Sequence, residues 1–379
     1  MKIVILVWQF PPKWLAGTEL ATYDIAKYLA LRGHEVHVIT SLDQGLCKES
    51  IEKGFNIHRI RFNKIRLIGT ILFWLAIISK IRKVNPDIVH AQGIGISIPA
   101  FMVKLFLNKP YSIWCQGSDI YLPWNFKRPI SKIVFHFADA VIAYSENMKK
   151  EIQKISKRDV HIISNGIDLQ LFSNLTREQA RSDLQIIKDQ QIITFVGTLR
   201  PVKGVKYLIR AMDIVVRRKA DIRLILIGDG PDRHELEGMT KDLILGNQIT
   251  FIGMVPHEKV PEFMVASDIF ILPSLSEGLP GVIIEAFAAA IPIVATSVGA
   301  LPEIIREGEN GFLVEPKNPE QLAEKILLLL GNSELRNKFS ENNKLKSKNY
   351  TWDCVVDLLE QRFIDITRKH HLPPLKDHV

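Results

Sequence analysis

Two carboxylates, Glu277 and Glu285, stand with seven residues between them in the stretch SEGLPGVIIEA, residues 276–286. On chemistry alone such a pair suits a glycosidase, one group as acid and the other as base or nucleophile. Two cations lie upstream, Arg200 and Lys203, followed at once by Gly204, where the backbone can turn tightly. Arg offers a planar fork to phosphate oxygens and Lys a point charge. Spacing alone leaves plainer readings open: solvated loop cations, a loop Glu, and a Glu on the polar face of a helix.

The elements around these residues narrow the choice. Residues 269–272 form a short apolar run, as in a strand buried on both faces. Residues 273–281 are rich in Pro, Gly and Ser and read as loop. Pro280 and Gly281 then open an apolar helix, and Pro292 leads into a strand at 293–296. In open α/β sheets, ligands bind at loops that follow strands, and a helix N-terminus there suits a phosphate.

The same alternation runs through the chain. Strands read at 3–7, 36–40, 57–62, 88–91, 111–115, 140–144 and 161–164, with helical patterns between most of them, including 20–32 ending at Gly33. The pattern stops near NGID at 165–168, and a polar stretch follows at 173–191. A second set of strands begins at 192–196 and continues at 224–227, 249–252, 269–272, 293–295 and 312–314, with helices at 322–330 and 352–368. This predicts an α/β protein of two doubly wound Rossmann-like domains facing across a cleft. The expected domains are residues 1–168 and 169–351, with the helix from 352 to 379 packing back on the first.

Composition agrees. A chain of 379 residues with 47% hydrophobic content can bury two cores, which argues against disorder. Cys47, Cys115 and Cys354 fit neither a disulfide framework nor a metal spacing, as expected in a reducing cytoplasm. The opening MKIVILVWQFPP does not read as a signal peptide. The longest uncharged apolar run, LIGTILFWLAIIS at 67–79, is too short to span a bilayer. Flanked by Lys64, Arg66, Lys80, Arg82 and Lys83, it reads as a core helix or as one lying partly in a membrane interface with Phe73 and Trp74 inserted. Residues 1–165 carry a net charge of +11 and residues 166–379 one of −3. A basic first half implies an anionic partner: a membrane surface or a phosphorylated acceptor. Nucleic acid is set aside, because there is no zinc-finger spacing, RNA-binding aromatic signature or dense basic helix.

The spacing of Glu277 and Glu285 resembles the E-x7-E motif of the family-4 retaining glycosyltransferases, enzymes of GT-B architecture. NGID at 165–168, FVGTLRPVKG at 195–204, GDGP at 228–231, IGMVP at 252–256, TSVGALPEII at 296–305 and GENGFLV at 308–314 fall in that family's order. FPPKWLAGTE, RGHEVHVIT, PDIVHAQG and QGSD resemble its first half more loosely. The resemblance implies transfer of a sugar from a nucleotide diphosphate-sugar to an acceptor hydroxyl, with retention. It places Glu277 on the donor sugar, and Arg200 and Lys203 on the diphosphate, where negative charge develops. Gly278, Leu279, Pro280 and Gly281 would offer backbone to sugar and phosphate, Glu285 would take the ribose hydroxyls, and Val255 would meet the base through its backbone. In the first half Gly17 would approach the diphosphate.

Gln116 stands where the family usually has His, and Thr198 where it usually has Arg. Gln can donate a hydrogen bond but carries neither charge nor a mobile proton. Asp119 is expected on the acceptor side, and His90 is structural or acceptor-side at a strand end facing the cleft. The aromatics Trp114, Tyr121, Trp124 and Phe126 line an acceptor or fill core and rim. No DxD triplet occurs, so neither metal nor cofactor is expected. The expected partners are a nucleotide-sugar donor and a glycan or lipid-linked acceptor of the cell envelope. The alternatives are a non-catalytic nucleotide-sugar-binding or scaffold protein and a GT-B sugar-nucleotide epimerase. A nicotinamide dehydrogenase would need G-x-G-x-x-G after the first strand, which FPPKWLAGTE lacks.

Overall fold

The structure, a computed structural model, describes residues 1–62, 66–121, 128–187 and 189–371. Trp124 and Phe126 lie outside the described residues. The chain divides into two compact units, Met1–Asn165 with Trp352–Val379, and Gly166–Thr351. The division falls three residues before the expected one, so NGID belongs mostly to the second unit.

The first unit is built on β1 (Lys2–Leu6), β2 (Glu35–Ser41), β3 (Glu49–Glu52), β4 (Phe55–Ile60), β5 (Ile88–Gln92), β6 (Tyr111–Trp114), β7 (Ala140–Ala143) and β8 (Val160–Ile162). Their order is β3-β4-β2-β1-β5-β6-β7-β8, and only β3 runs antiparallel to its neighbour. That strand was not legible in the sequence: ESIE has no apolar run and is mostly exposed. Its hairpin to β4 turns through Lys53 and Gly54, both at positive φ, as a tight two-residue loop requires. Between strands lie α1 (Gly17–Leu31), α2 (Arg66–Val84), α3 (Ser97–Leu107) and α4 (Arg128–Phe137). Helix α2 turns Phe73, Ile77 and Ile81 into the core, Phe73 with its ring 5.2 Å from Trp8 and 5.5 Å from Phe62. Of the two readings of this run the core helix fits: Phe73 is buried and Trp74 half-buried, while Ile71, Leu72 and Leu75 face solvent.

The second unit holds β9 (Gln191–Val196), β10 (Ile222–Ile227), β11 (Ile249–Gly253), β12 (Ile269–Leu272), β13 (Ile293–Thr296) and β14 (Gly311–Val314). The order is β11-β10-β9-β12-β13-β14, all parallel. The winding reverses between β9 and β12, so the loops that follow those two strands flank a topological switch point. The helices that matter here are α5 (Gly281–Ala288), α6 (Pro319–Gly331) and α7 (Ser333–Ser347). The polar stretch at 173–191 is not all loop. It contains a helix, Arg177–Asp183, whose Arg181 and the preceding Arg177 pair with buried Asp268 at 2.9 and 2.6 Å.

Helix α8 (Trp352–His371) returns to the first unit. It buries Val355, Val356, Leu359 and Phe363, spaced to line one face. Arg32 clamps it by contacts to Asp357 and Glu360 at 2.5 and 3.0 Å, and His34 Nε2 meets Glu360 at 2.8 Å. Among the described residues no helix is long and apolar enough to cross a membrane.

Candidate active site

In the second unit the loops after β9 and β12 are stitched together. The Leu275 N–H donates to the Val202 carbonyl at 2.7 Å. Gly204 sits at φ +65°, and a Cβ there would fall 2.0 Å from the Pro273 carbonyl oxygen, so only glycine fits. This close approach brings Lys203 Nζ to 2.6 Å from Glu277 Oε1. Ser274 Oγ donates to the same oxygen at 2.6 Å, and Thr296 Oγ1 donates in turn to the Ser274 carbonyl. A third loop closes on Glu277 from behind. Gly299, at φ +57°, would place a Cβ 1.9 Å from the Glu277 carbonyl oxygen, and the Ala300 N–H donates to the Gly278 carbonyl at 3.0 Å.

The Glu277 side chain is 9% exposed and that of Lys203 22%. Among the described residues no hydrogen bond reaches Glu277 Oε2. The carboxylate is thus held by one oxygen and offers the other. Arg200, at the start of the Pro201–Lys203 turn, is exposed and makes no ion pair among the described residues; Thr198, two residues before it, is exposed as well.

Pro280 caps α5 at φ −71°, one position before the first turn. The first N–H groups of the helix, on Gly281 and Val282, have no intrahelical acceptor. No heavy atom lies within 4 Å of where a Gly281 Cβ would be, so this helix end can be approached closely. Glu285 follows four residues later on the same helix face. It is half-buried, and burial pushes its carboxyl above the usual range, an effect partly offset by His257. Leu279 and Pro280 are buried and Gly278 half-buried. Val255 packs its side chain on a cluster that includes Ile192, Ile225 and Ile227.

The first unit offers a different chemistry. Gln116 is buried, and its Oε1 accepts from Thr18 Oγ1 at 3.0 Å and Tyr144 Oη at 2.9 Å. Its Nε2 donates to Gln92 Oε1 at 2.8 Å. The Gln92 amide nitrogen must then donate to His90 Nε2, at 3.3 Å, which leaves the His90 proton on Nδ1, 2.8 Å from Ser112 Oγ. His90 is fully buried, and desolvation pushes its pKa down to about 3. The acceptor-side expectation for His90 is therefore corrected. It is a neutral interior residue packed on Trp114 and Phe363, and not a strand-end group facing ligand. Asp119 Oδ2 accepts from the Ile94 N–H at 3.0 Å, bracing the loop after β5. Gly17 opens α1 with free space around its Cα. Among the described residues no group of His, Cys, Asp and Glu could hold a metal ion.

The family model for group 1 glycosyl transferases matches residues 176–346, and the model for glycosyltransferase family 4 matches residues 15–171. The chain belongs to the family-4, group 1 glycosyltransferases. The N-acetyl-alpha-D-glucosaminyl L-malate synthase of Bacillus anthracis is 27% identical over 381 residues, covering 97% of this chain and 98% of that one. Sucrose-phosphate synthase of Thermosynechococcus elongatus superposes with a TM-score of 0.88 at 21% identity, over 97% of this chain and 99% of that one. Anabaena HepE in complex with UDP-glucose gives 0.80 at 21% identity, over 96% and 100%. The fold is that of the GT-B glycosyltransferases.

Within this glycosyltransferase several positioning residues were not legible in the sequence. Ser274 and Thr296 hold Glu277, Gly299 and Ala300 close the loop behind it, and His257 acts on Glu285. Ser274, three residues before Glu277 in the same loop, was the one available signal. The raised Glu285 pKa has a consequence with a definite sign. A carboxyl that holds its proton more tightly when folded stabilises the fold below the ordinary carboxylate pKa and loses that contribution as pH rises through the folded value. At neutral pH, Glu285→Gln should therefore raise the melting temperature of the ligand-free protein while weakening nucleotide affinity. Thermal unfolding with and without nucleotide reads both effects, and a variant less stable when ligand-free would contradict the expectation.

Proposed function

We propose that this glycosyltransferase moves a sugar from a nucleotide diphosphate-sugar to a hydroxyl of a glycan or lipid-linked acceptor in cell-envelope synthesis. Retention of configuration and independence from metal belong to the same reading. The observation that carries it is the Lys203–Glu277 contact at the switch point of the second sheet. Breaking the anomeric C–O bond sends negative charge onto the diphosphate and leaves positive charge on the sugar. Arg200, free of ion pairs among the described residues, and the open N–H groups of α5 suit the first charge. Glu277 suits the second: Lys203 and Ser274 fix Oε1, and Oε2 remains to accept from a sugar hydroxyl. Lys203, half-screened by Glu277, acts here mainly as a positioning residue. Glu285, ionised, would accept from the ribose hydroxyls. HepE binding UDP-glucose makes a uridine nucleotide the first donor to try.

The test is thermal shift of the purified protein against UDP, GDP, ADP and dTDP and their sugars. A ligand at about 100 times its dissociation constant stabilises by roughly 2.7 kcal/mol, so one nucleotide should stand out. Turnover of that donor should be unchanged by EDTA, and the product anomer read by NMR should match the donor. No shift with any nucleotide from folded protein would sink the donor-site reading.

A further inference from the structure

Strands β2 and β4 are neighbours, and each carries one histidine, His37 in EVHVITS and His58 in FNIHRI. The two rings stack with centroids 5.2 Å apart, and His37 Nδ1 lies 2.9 Å from His58 Nε2. Their side chains are 11 and 12% exposed. Charged groups close both ends of the pair. Glu35 of β2 lies 3.0 Å from His37 Nε2 and pairs with Lys2 of β1 at 3.1 Å. Glu49 of β3 lies 3.5 Å from His58 Nδ1 and pairs with Lys80 of α2 at 2.6 Å. The carboxylates fix where the protons are. A carboxylate only accepts, so His37 donates from Nε2 and, when neutral, must accept at Nδ1. His58 then donates from Nε2, which leaves its Nδ1 bare. That atom is buried without a hydrogen-bond partner, and the nearest charge to it is the Glu49 carboxylate.

Such a chain has room for one added proton and no more. On His58 Nδ1 that proton would turn the unpartnered atom into a donor toward Glu49. A further proton would have to enter between the rings, where His37 Nδ1 and His58 Nε2 would both carry hydrogen across 2.9 Å. We infer that His37 and His58 form an acid-opened latch on the β3–β4 hairpin, which holds while the pair carries at most one added proton and parts when acid supplies the second. Glu35 and Glu49 are kept below the usual carboxylate range, chiefly by His37 and by Lys80, so both remain ionised while the latch titrates. What the latch secures is α1. At the turn end of the hairpin Tyr23 Oη donates to Glu52 Oε1 at 2.8 Å, and the Tyr23 ring meets Phe55 edge-on at 5.5 Å. Helix α1 begins at Gly17 and Thr18, and the Thr18 hydroxyl holds Gln116, so an open hairpin loosens the support of that helix start. The latch is independent of Lys203 and Glu277, which sit in the other unit.

Burial, then the charges of Lys80 and His37, push His58 below its usual value of 6.5, and Glu49 opposes them. The folded pair therefore binds protons less readily than the unfolded chain. Its contribution to stability is complete above about pH 6.5 and is lost as the pH falls below that value. The experiment is hydrogen exchange of the full chain near pH 7.5 and pH 5, with melting temperatures alongside, on the wild type and His58→Gln. Gln can still donate to His37 Nδ1 but does not titrate. Acid should speed exchange of the amides of residues 49–58 about tenfold more in the wild type than in the variant, and lower its melting temperature by about 3 °C more. Glu49→Gln removes the acceptor that awaits the first proton and should enlarge the acid effect. Nitrogen NMR of the wild-type imidazoles should show both neutral rings protonated on Nε2, with His58 titrating below the value of a free imidazole. A His58 that carries its proton on Nδ1 at neutral pH, or equal acid sensitivity at residues 49–58 in wild type and His58→Gln, would overturn the proposal. Should His58→Gln fail to fold, the imidazole titration of the wild type decides alone.

Discussion

Glu277→Ala should lower kcat for sugar transfer by about 10²–10³-fold, the range found when one fixed electrostatic stabiliser of a transition state is removed. Nucleotide affinity should stay within a few-fold, because Glu285 and the start of α5 are untouched. Removing the carboxylate also frees Lys203, whose ammonium lies 2.6 Å from it, so affinity for a bare nucleoside diphosphate could rise rather than fall. Glu277→Gln separates charge from shape. It keeps the size and a carbonyl oxygen that Ser274 Oγ can reach, but it loses the negative charge. If charge is what matters, Gln should be nearly as slow as Ala. Steady-state kinetics on the donor found by thermal shift decides it, and turnover of Glu277→Ala within fivefold of wild type would refute the assignment.

Gly299→Ala should be among the most damaging single-methyl changes in the second unit. The residue sits at φ +57°, which costs an L side chain on the order of 1 kcal/mol. The added Cβ would also lie 1.9 Å from the Glu277 carbonyl oxygen, which is backbone and cannot swing aside. One of the two loops must move. A loss of roughly 2–4 kcal/mol is expected, with a melting temperature lower by about 5–10 °C. Displacing Glu277 by about 1 Å should cost on the order of 10² in rate besides. Gly281→Ala is the contrast, since its Cβ meets nothing within 4 Å. It should leave stability unchanged or slightly improved and weaken ligand binding alone, by filling the space above the helix end. Thermal unfolding and kinetics on both variants make the comparison, and a Gly299→Ala protein with wild-type melting and turnover would remove the close approach from the account.

The strands buried on both faces were legible because nothing but apolar residues can occupy them, as in IFIL at Ile269–Leu272. Elements that bury little were not. Helix α7 is largely polar, with Phe339, Asn343 and Ser347 its buried residues, and it is marked chiefly by its Asn332 cap. Edge strand β3 is exposed along most of its length. In the site, Arg200, Lys203, Glu277 and Glu285 stood out by type and spacing. The Lys203–Glu277 contact did not, since it spans 74 residues and depends on β12 returning beside β9. His90 was misplaced for a related reason. A polar residue in a buried strand looks like a ligand group until its satisfiers, Gln92 and Ser112, are seen. Phe73 and Trp74 sit in a run that is apolar all round, so only the packing on Trp8 and Phe62 decides which one turns inward.

The return of α8 to the first unit sets an order of events during synthesis. The second unit is one unbroken stretch, Gly166–Thr351, spliced into the first, and its two ends meet where the Ile167 N–H donates to the Tyr350 carbonyl at 2.7 Å. A chain emerging from the ribosome delivers its N-terminal part first. It can therefore complete the later unit as soon as Thr351 is out. The earlier unit must wait for Val355, Val356, Leu359 and Phe363, which cover its interior near His90. The half begun first is finished last, and for the whole translation time of the inserted half its apolar underside stays uncovered.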